Sequence, residues 1–208
     1  MSAAVGIPVT VKSRIGIDDR QDYAFLRDFV ATVAGAGCRV FIIHARNAIL
    51  SGLSPKQNRE VPPLRYEVVH RIKQDFPELT VVLNGGIRSL ADVRREMARL
   101  DGVMIGREAY HNPWLLAEIE AGILGGQAPE SRAAVVRAWM PYVERQLQAG
   151  QKLSAMTRHA LGLFAGQPGA RAWRRTLSEG APRAGAGVEV IRKALARIDP
   201  GALEHLAG

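Results

Sequence analysis

Residues 81–87, Val81-Val82-Leu83-Asn84-Gly85-Gly86-Ile87, decide the fold that we expect for this chain. An apolar run passes into an asparagine and two glycines, and helical spacing follows from Ser89, which predicts a buried strand, a glycine turn and a helix. Residues 102–107 repeat this arrangement. Two neighbouring units of this kind present backbone N–H groups at helix starts, which suits a phosphate. Because the phosphate site of a (β/α)8 barrel often follows strands seven and eight, we predict a phosphate site at this pair of turns.

Net charge is distributed unevenly along the 208 residues. Residues 132–208 contain 12 basic and 5 acidic residues, whereas residues 1–131 contain 16 and 15, within a total surplus of +8. A basic second half indicates a polyanionic partner. A solvated, arginine-rich helical surface would account for the same charge, so both interpretations stay open at this point.

The chain contains one cysteine, Cys38, which permits no internal disulfide and favours a reducing compartment, the cytoplasm. No apolar run approaches the ~20 residues of a membrane-spanning helix, and we expect no secretory signal before the first strand. These features argue against a membrane protein and against a disulfide-stabilised secreted scaffold.

Short apolar runs alternate with helical periodicity in the first part of the chain. Strands are predicted at 7–12, 38–44, 81–84 and 102–105, and helices at 23–34, at 64–76 and from 89. After the glycine-rich linker 125–129, helices are predicted at 131–148, with a kink at Pro141, and at 153–165, 169–178 and 188–198. The βα alternation is typical of a parallel sheet covered by helices. We therefore expect an α/β domain over 1–126 and a small all-α domain over 127–208.

Polar side chains stand at or just beyond the end of each predicted strand, at Lys12, His44, Asn84 and Arg107. Ligands of α/β folds bind beyond the carboxyl ends of strands, so we expect these four residues to lie together around a ligand. Each also has an ordinary explanation, such as a lysine that snorkels from the rim of the sheet or a simple strand-to-helix turn at Arg107.

Four strands do not close a barrel, which needs eight. We therefore expect the C-terminal half of a (β/α)8 TIM barrel, with the upstream half of the barrel missing from this chain. Dimerisation of two half-barrels, or a different closure of the α/β sheet, remains an alternative, because two unpaired sheet edges are a severe liability.

Several blocks of sequence follow one another at a spacing that resembles one known family. They are VTVKSRIGID at 9–18, FIIHAR at 41–46, LNGGI at 83–87, GVMIGREAY at 102–110, RHALGLF at 158–164 and PGARAWRR at 168–175. Together they resemble the tRNA-dihydrouridine synthases, most closely the A subfamily, and the resemblance spans nearly the whole chain.

The resemblance implies an FMN-binding (β/α)8 barrel joined to a helical domain that helps to hold tRNA. It implies reduction of the C5–C6 bond of D-loop uridines, with NADPH reducing the flavin first. The implied flavin-binding residues are Lys12, His44, Asn84, Gly85, Gly86, Gly106 and Arg107. The implied tRNA-binding residues are Lys56, Arg59, Arg171 and Arg174, with Arg46 near the target uridine.

The resemblance also implies a catalytic cysteine that protonates uracil C5, in an N-terminal segment that nothing in this chain matches. Cys38 begins a strand on the side away from the expected site, so we interpret it as a small packed residue. We therefore assign no catalytic residue and no metal ligand, and we expect this chain alone to be inactive. Two alternatives are a non-catalytic RNA-binding fragment and another FMN- or phosphate-binding barrel enzyme that acts on a small metabolite. The sequence does not predict an oligomeric state.

Overall fold

A computed structural model of the protein describes residues 4–198. The chain divides into two compact units, Met1–Gly106 and Arg107–Gly208. This division falls directly after the last strand, and the domain assignment to 1–126 and 127–208 stays a prediction. Within residues 4–198, the helices are too short or too polar to cross a lipid bilayer.

The first unit is built on a four-stranded parallel sheet whose strands follow the order of the chain. The strands are β1 (Val11–Arg14), β2 (Val40–His44), β3 (Thr80–Asn84) and β4 (Gly102–Met104). Each strand pairs with the next one along the sequence, so β1 and β4 are the outermost strands of the described sheet. The α/β class and the parallel sheet predicted from the sequence are confirmed.

The two faces of this sheet differ in composition and burial. On one face the side chains of Phe41, Ile43, Val81 and Leu83 are fully buried. Residues on the opposite face are half-buried or exposed, and they are Lys12, Arg14, Ile42, His44, Val82 and Asn84. Because side chains alternate along a strand, the sheet separates an apolar core face from a more polar face.

Three helices of the first unit supply the cover that the buried face requires. They are α1 (Tyr23–Gly35), α2 (Tyr66–Asp75) and α3 (Leu90–Met97), and each contributes buried apolar side chains at helical spacing. Asp22 caps α1, since its side chain accepts a hydrogen bond from the backbone N–H of Phe25 at 2.9 Å. Ser89 caps α3 in the same way. All three helices confirm the helical pattern of the sequence, and α3 begins one residue after the predicted start at Ser89.

Polar contacts join α2 to its neighbours. Glu96 of α3 is buried, and its carboxylate lies 2.8 Å from the ring nitrogen of His70 on α2. Lys73 of α2 reaches Asp101, just before β4, with 2.8 Å between Nζ and Oδ2. Burial raises the pKa of the Asp101 carboxyl, but hydrogen bonds from Lys73 and from the backbone N–H of Val81 outweigh it, so the net pKa is lowered.

The first strand differs from its prediction. It begins at Val11 rather than at Ile7 and continues to Arg14, because only Val11–Arg14 pair with β2. Lys12 is therefore the second residue of the strand and pairs with Ile42, so the expectation that it ends the strand is wrong. The second strand begins at Val40, and Cys38 precedes it as a buried residue, in agreement with a packing role.

The described part of the second unit consists of helices joined by turns and loops and contains no strand. Its helices are α4 (Arg107–His111), α5 (Trp114–Ile119), α6 (Arg132–Gln148), α7 (Leu153–Thr157), α8 (Ala170–Gly180) and α9 (Glu189–Ala196), with a π-helical turn at Glu120–Leu124. The strand–glycine–helix arrangement repeated at 102–107 predicts a helix after Gly106, and α4 begins there, whereas the sequence pattern did not predict α5. Helix α6 continues across Pro141, and Ser131 caps it by accepting a hydrogen bond from the backbone N–H of Ala134.

One predicted helix of this unit is wrong over most of its length. The pattern over 153–165 predicts a single helix, yet α7 ends at Thr157 and successive turns follow. The carbonyl of Ala160 accepts hydrogen bonds from the indole Nε1 of Trp173, at 3.0 Å, and from the backbone N–H of Leu163. Trp173 is fully buried. Its indole therefore occupies the carbonyl of Ala160, which in a continuing helix would accept a hydrogen bond from the backbone N–H four residues later.

Candidate functional site

An open groove of about 540 Å³ lies against the polar face of the sheet in the first unit. Its lining residues come from the strands and from the loop after β2, and they are Lys12, Arg14, His44, Ala48, Ile49, Leu50, Leu53, Pro55, Asn58, Arg59 and Asn84. Lysine, arginine, histidine and amide side chains therefore share the groove with apolar residues. This mixture suits a ligand that has both an anionic part and an apolar part.

The register of the sheet explains why these polar residues meet. Arg14, His44 and Asn84 are partners across three adjacent parallel strands, and Lys12 lies two residues before Arg14 on the same face. Three of the residues singled out from the sequence, Lys12, His44 and Asn84, are thus brought to one groove. A role for them in flavin binding stays a prediction.

The turn after β3 is closely packed and needs its two glycines. Gly85 has φ +113° and Gly86 has φ +76°, both in the region that side chains disfavour. A Cβ on Gly85 would lie 2.7 Å from Cδ2 of His44, and one on Gly86 would lie 2.5 Å from Cδ1 of Leu64. The hydroxyl of Tyr66 donates to the carbonyl of Gly85 at 2.7 Å. The glycine turn is therefore held from both sides, and His44 lies directly against it.

The amide of Asn84 faces the other way along the sheet. Its Nδ2 donates to the carbonyl of Met104 at 3.0 Å, which ties the end of β3 to the end of β4.

The turn after β4 is open. A Cβ on Gly106, two residues after Met104, would meet nothing within 4 Å. The first unit alone therefore does not require a glycine at this position. Arg107 follows Gly106 along the chain and begins α4 of the second unit.

The loop from 47 to 63 carries two of the predicted tRNA-binding residues. Lys56 is exposed just before the short 3₁₀ helix Gln57–Arg59, and Arg59 ends that helix and lines the groove. Arg14 anchors this loop, since its Nη1 donates to the carbonyl of Asn47 at 2.6 Å and to that of Asn58 at 2.9 Å. Residues that the sequence places far apart are therefore positioned by one side chain of β1.

Two further contacts order the same loop. The side chain of Asn58 accepts from the backbone N–H of Ile49 at 2.8 Å and donates to its carbonyl. Arg46, predicted to lie near the target uridine, donates to the carbonyls of Glu60, at 3.2 Å, and Pro62. The guanidinium of Arg46 thus closes the far end of the loop.

Asp18 connects the loop after β1 to the loop after β2. Its φ is +47°, an unusual value for a residue other than glycine. Its backbone N–H donates to the carbonyl of Ala48 at 2.7 Å, and its carboxylate accepts from the backbone N–H of Leu50 at 2.8 Å. These contacts hold the unusual backbone conformation and fix the start of the loop that carries Lys56 and Arg59.

The groove is electropositive. Burial lowers the pKa of the Arg14 guanidinium, and the positive charges of Arg46 and Arg59 lower it further. An arginine nevertheless stays protonated at neutral pH. Mutual repulsion among these cations favours the binding of an anion, which would relieve it.

Sequence reasoning gave no binding role to three residues that build this site, Arg14, Asn58 and Tyr66. Strand alternation was the available signal for Arg14, because it stands two residues after Lys12 and shares its face. The contacts of Tyr66 and Asn58 join residues that are distant along the chain or lie in an irregular loop. No local pattern points to such contacts.

Two other predicted residues lie on the second unit. Arg171 and Arg174 are exposed on α8 at a spacing of three residues, so they share one side of the helix. Arg175 pairs with Glu179 at 2.9 Å. Trp173 is buried against Phe164, with 4.8 Å between ring centroids, which confirms that it packs in the core rather than on the surface. The two arginines remain candidates for contacts with phosphate.

Comparison with known proteins gives a consistent result. A sequence model of the family described as "Dihydrouridine synthase (Dus)" matches residues 1–198. A Vibrio cholerae protein named tRNA-dihydrouridine(20/20a) synthase is 57% identical over 200 residues, which cover 95% of this chain and 61% of the relative. A protein of the same name from Salmonella typhimurium is 57% identical over 197 residues, 94% of this chain and 59% of the relative.

A third relative, from Escherichia coli K12, carries the same name and is 56% identical over 94% of this chain and 57% of its own length. This chain therefore spans about 60% of the length of the curated relatives that it matches. A crystal structure of a mandelate oxidase covers 89% of this chain and 54% of its own, with 19% identity and a TM-score of 0.37, which is too slight a similarity to bear on the fold.

Proposed function

Because the chain belongs to the dihydrouridine synthase family, we propose that it forms the FMN-binding and tRNA-binding part of a tRNA-dihydrouridine synthase. The reaction is the reduction of the C5–C6 bond of D-loop uridines, an oxidoreductase step with NADPH as the reductant. A tRNA substrate would place the protein in the cytoplasm. The observation that carries the proposal is the convergence of Lys12, His44 and Asn84 on one groove, beside the Gly85–Gly86 turn.

The fold supports this proposal at the level of architecture. Parallel strands in consecutive order, with helices on one face and polar side chains on the other, are what one half of a (β/α)8 barrel presents. We assign the first unit to the C-terminal half of such a barrel. Its polar face is then the barrel interior, and its last two glycine turns, after β3 and β4, are those of strands seven and eight. Residues 127–208 are then an all-α domain that contacts tRNA.

The groove has features that fit FMN. The Gly85–Gly86 turn precedes the start of α3 and has positive φ at both residues, and glycine turns that lead into a helix can present backbone N–H groups to a phosphate. Open space beside Gly106 leaves room for a ligand there, and Arg107 follows with a guanidinium suited to phosphate. The cations of the groove favour an anionic ligand, and its apolar residues favour a ring system. We assign the phosphate to Asn84, Gly85, Gly86, Gly106 and Arg107, and the ring to Lys12 and His44.

Bound there, FMN would supply the hydride that reduces the uracil ring. Lys12 would place a fixed positive charge where negative charge develops, which is electrostatic stabilisation. His44, packed against Gly85, would donate a hydrogen bond from a side chain that has little freedom to move. The ordered loop would present Lys56 and Arg59 to the tRNA backbone, and Arg46 would lie near the target uridine, which must leave its stack to enter the groove.

We assign no proton donor to this chain. The Sγ of Cys38 lies 3.6 Å from the carbonyl of Val9 and 3.4 Å from that of Val40, and the residue is buried two positions before β2. Burial in apolar surroundings makes a thiol unreactive. Cys38 therefore packs the fold and does not act on substrate.

The experiment is the visible absorption spectrum of the purified chain beside that of a version extended upstream along its native sequence. We expect flavin absorption in the extended form, with loss of flavin in its Lys12→Met and His44→Ala variants. Arg27→Met, at an exposed cation of α1 outside the groove, is the matched control and should keep the flavin. An extended protein without flavin that leaves tRNA uridine unreduced with FMN and NADPH would overturn the proposal.

The basic second half of the chain favours a second candidate, an RNA-binding chain without catalysis. Such a chain would bind tRNA through the basic second half while both forms remain colourless. Flavin absorption in the extended form would exclude this candidate.

A further inference from the structure

The second unit contains a pocket of about 400 Å³ that none of the roles proposed above uses. It lies between α6 and α7 and the turn that follows α7. Its lining residues are Trp139, Tyr142, Ala155, Met156, His159 and Ala160. Three of these six residues carry aromatic rings, and a fourth carries a polarisable thioether, so the walls of the pocket suit a flat, unsaturated ring.

One aromatic wall of the pocket, Tyr142, is accessible, and another, His159, is held in place by its neighbours. Tyr142 is 45% exposed although its ring is large and apolar, and Trp139 stands three residues earlier, one turn away on α6. His159 packs edge to face against Tyr110, with 5.7 Å between centroids and 84° between planes. The hydroxyl of Tyr110 in turn donates to the carbonyl of Arg158 at 3.2 Å. The pocket therefore exists before any ligand arrives, which reduces the entropic cost of binding.

His159 adds a directional polar group to these walls. The Nε of Arg158 donates to Nε2 of His159 at 3.0 Å, so in the neutral imidazole the proton is on Nδ1. Nδ1 is then a hydrogen-bond donor, which can pair with a carbonyl or ring-nitrogen acceptor. Nucleobases offer such acceptors on their edges.

The surroundings of the pocket are basic. Among the described residues that line it none is acidic, and Arg158 adjoins it directly. Arg145 is exposed one turn after Tyr142 on α6, whereas Glu144 is engaged by Arg192 at 3.5 Å. A ring-shaped ligand attached to an anionic backbone complements this combination of aromatic walls and cations.

We propose that this pocket binds an unstacked nucleobase of the RNA substrate, stacked against Tyr142 and Trp139 and hydrogen-bonded to His159. The inference rests on the proposed function for the identity of the RNA as tRNA. It assigns to the helical unit a contact through a base, in addition to contacts with phosphate. Loss of one base–aromatic stack weakens binding by roughly fivefold to a hundredfold.

The test measures binding of tRNA and of a short single-stranded RNA at several salt concentrations, with the protein in its upstream-extended form. Tyr142→Ala should weaken binding at least about fivefold with an unchanged salt slope, because stacking releases no counterions. Tyr142→Phe keeps the aromatic ring and should bind RNA with the affinity of the parent protein. Leu116→Ala, at an exposed apolar residue of α5 outside the pocket, is the matched control and should have no effect.

Each outcome of these binding measurements supports or refutes the nucleobase pocket. Unchanged affinity in Tyr142→Ala, or an equal loss in Leu116→Ala, would overturn the pocket. Binding of single-stranded RNA that depends on Tyr142, without binding of tRNA, would uphold the pocket and refute the proposed function. Binding of tRNA that does not depend on Tyr142 would refute the pocket and uphold the proposed function. Binding of neither RNA would refute both the pocket and the proposed function.

Discussion

Replacing Gly85 with alanine should destabilise the first unit even in the absence of any ligand. An alanine at φ +113° costs about 1–2 kcal/mol because the left-handed region crowds its Cβ. That Cβ would also lie 2.7 Å from Cδ2 of His44 and 3.0 Å from Cδ2 of Leu64. Overpacking of this kind costs about 1–3 kcal/mol. The expected loss in free energy of unfolding is therefore about 2–5 kcal/mol.

Gly106→Ala should instead increase the free energy of unfolding. Its Cβ would meet nothing within 4 Å, and its φ lies outside the left-handed region, so the folded unit accommodates a methyl group. Alanine restricts the unfolded chain more than glycine does, which stabilises a protein by about 0.4–1 kcal/mol. The two substitutions remove the same chemical feature from two neighbouring turns and should separate cleanly in a denaturant titration.

The Gly106→Ala variant should also differ from the parent protein in its affinity for FMN. If the phosphate lies against both turns, Gly106→Ala should weaken FMN affinity by about tenfold, since a methyl group enters space that the ligand would fill. The assay is quenching of flavin fluorescence in the upstream-extended protein, beside urea unfolding of the same variants. Gly106→Ala protein that is stable and binds FMN as tightly as the parent would refute the assignment of the phosphate to this turn. Gly85→Ala protein of undiminished stability would refute the packing argument itself.

Three further predictions concern other parts of the molecule. Arg171→Ala combined with Arg174→Ala should weaken tRNA binding and reduce the slope of log affinity against log salt by about 1–2, and an unchanged slope in filter binding would contradict a phosphate contact. Asp101→Asn should abolish part of the acid-induced loss of stability. The hydrogen bond from Lys73 helps to lower the pKa of the Asp101 carboxyl below its ordinary value, so the carboxylate stabilises the fold at higher pH and ceases to do so as pH falls through its folded pKa. Identical unfolding profiles of the variant and the parent across acidic pH would contradict this prediction. Glu96→Gln should cost roughly 1–3 kcal/mol, since it weakens a buried bond to a histidine of α2, and an unshifted denaturation midpoint would count against that bond.

The sequence predicted the central strands well and the first strand poorly, for one physical reason. Residues 81–84 are apolar, bounded by turns and buried between neighbours, so composition and structure coincide. Ile7 is equally apolar yet 73% exposed, because a strand also requires a partner and pairing with β2 begins only at Val11. Hydrophobic pattern reports which residues prefer burial, and it does not report where the neighbouring strand begins.

The candidate site was predictable to the extent that it depends on alternation along strands. His44 and Asn84 end their strands as expected, and the register places them side by side. The order of the loop could not be predicted, since it depends on Arg14 bonding to the carbonyl of Asn58, 44 residues away in sequence. Nor could the turns that follow α7, where the carbonyl of Ala160 accepts a hydrogen bond from the indole of Trp173.

In this chain by itself, without the neighbouring strand that a closed barrel would place beside β1, the outermost position of β1 has a consequence for behaviour at high concentration. A strand at the margin of a sheet offers backbone groups that a second molecule can use for templated addition. Lys12 and Arg14 put two like charges on this short strand, and side-by-side addition of two molecules would bring four cations together. Electrostatic repulsion thus acts as a guard against aggregation, and added salt should weaken it, which light scattering would detect as self-association that rises with ionic strength.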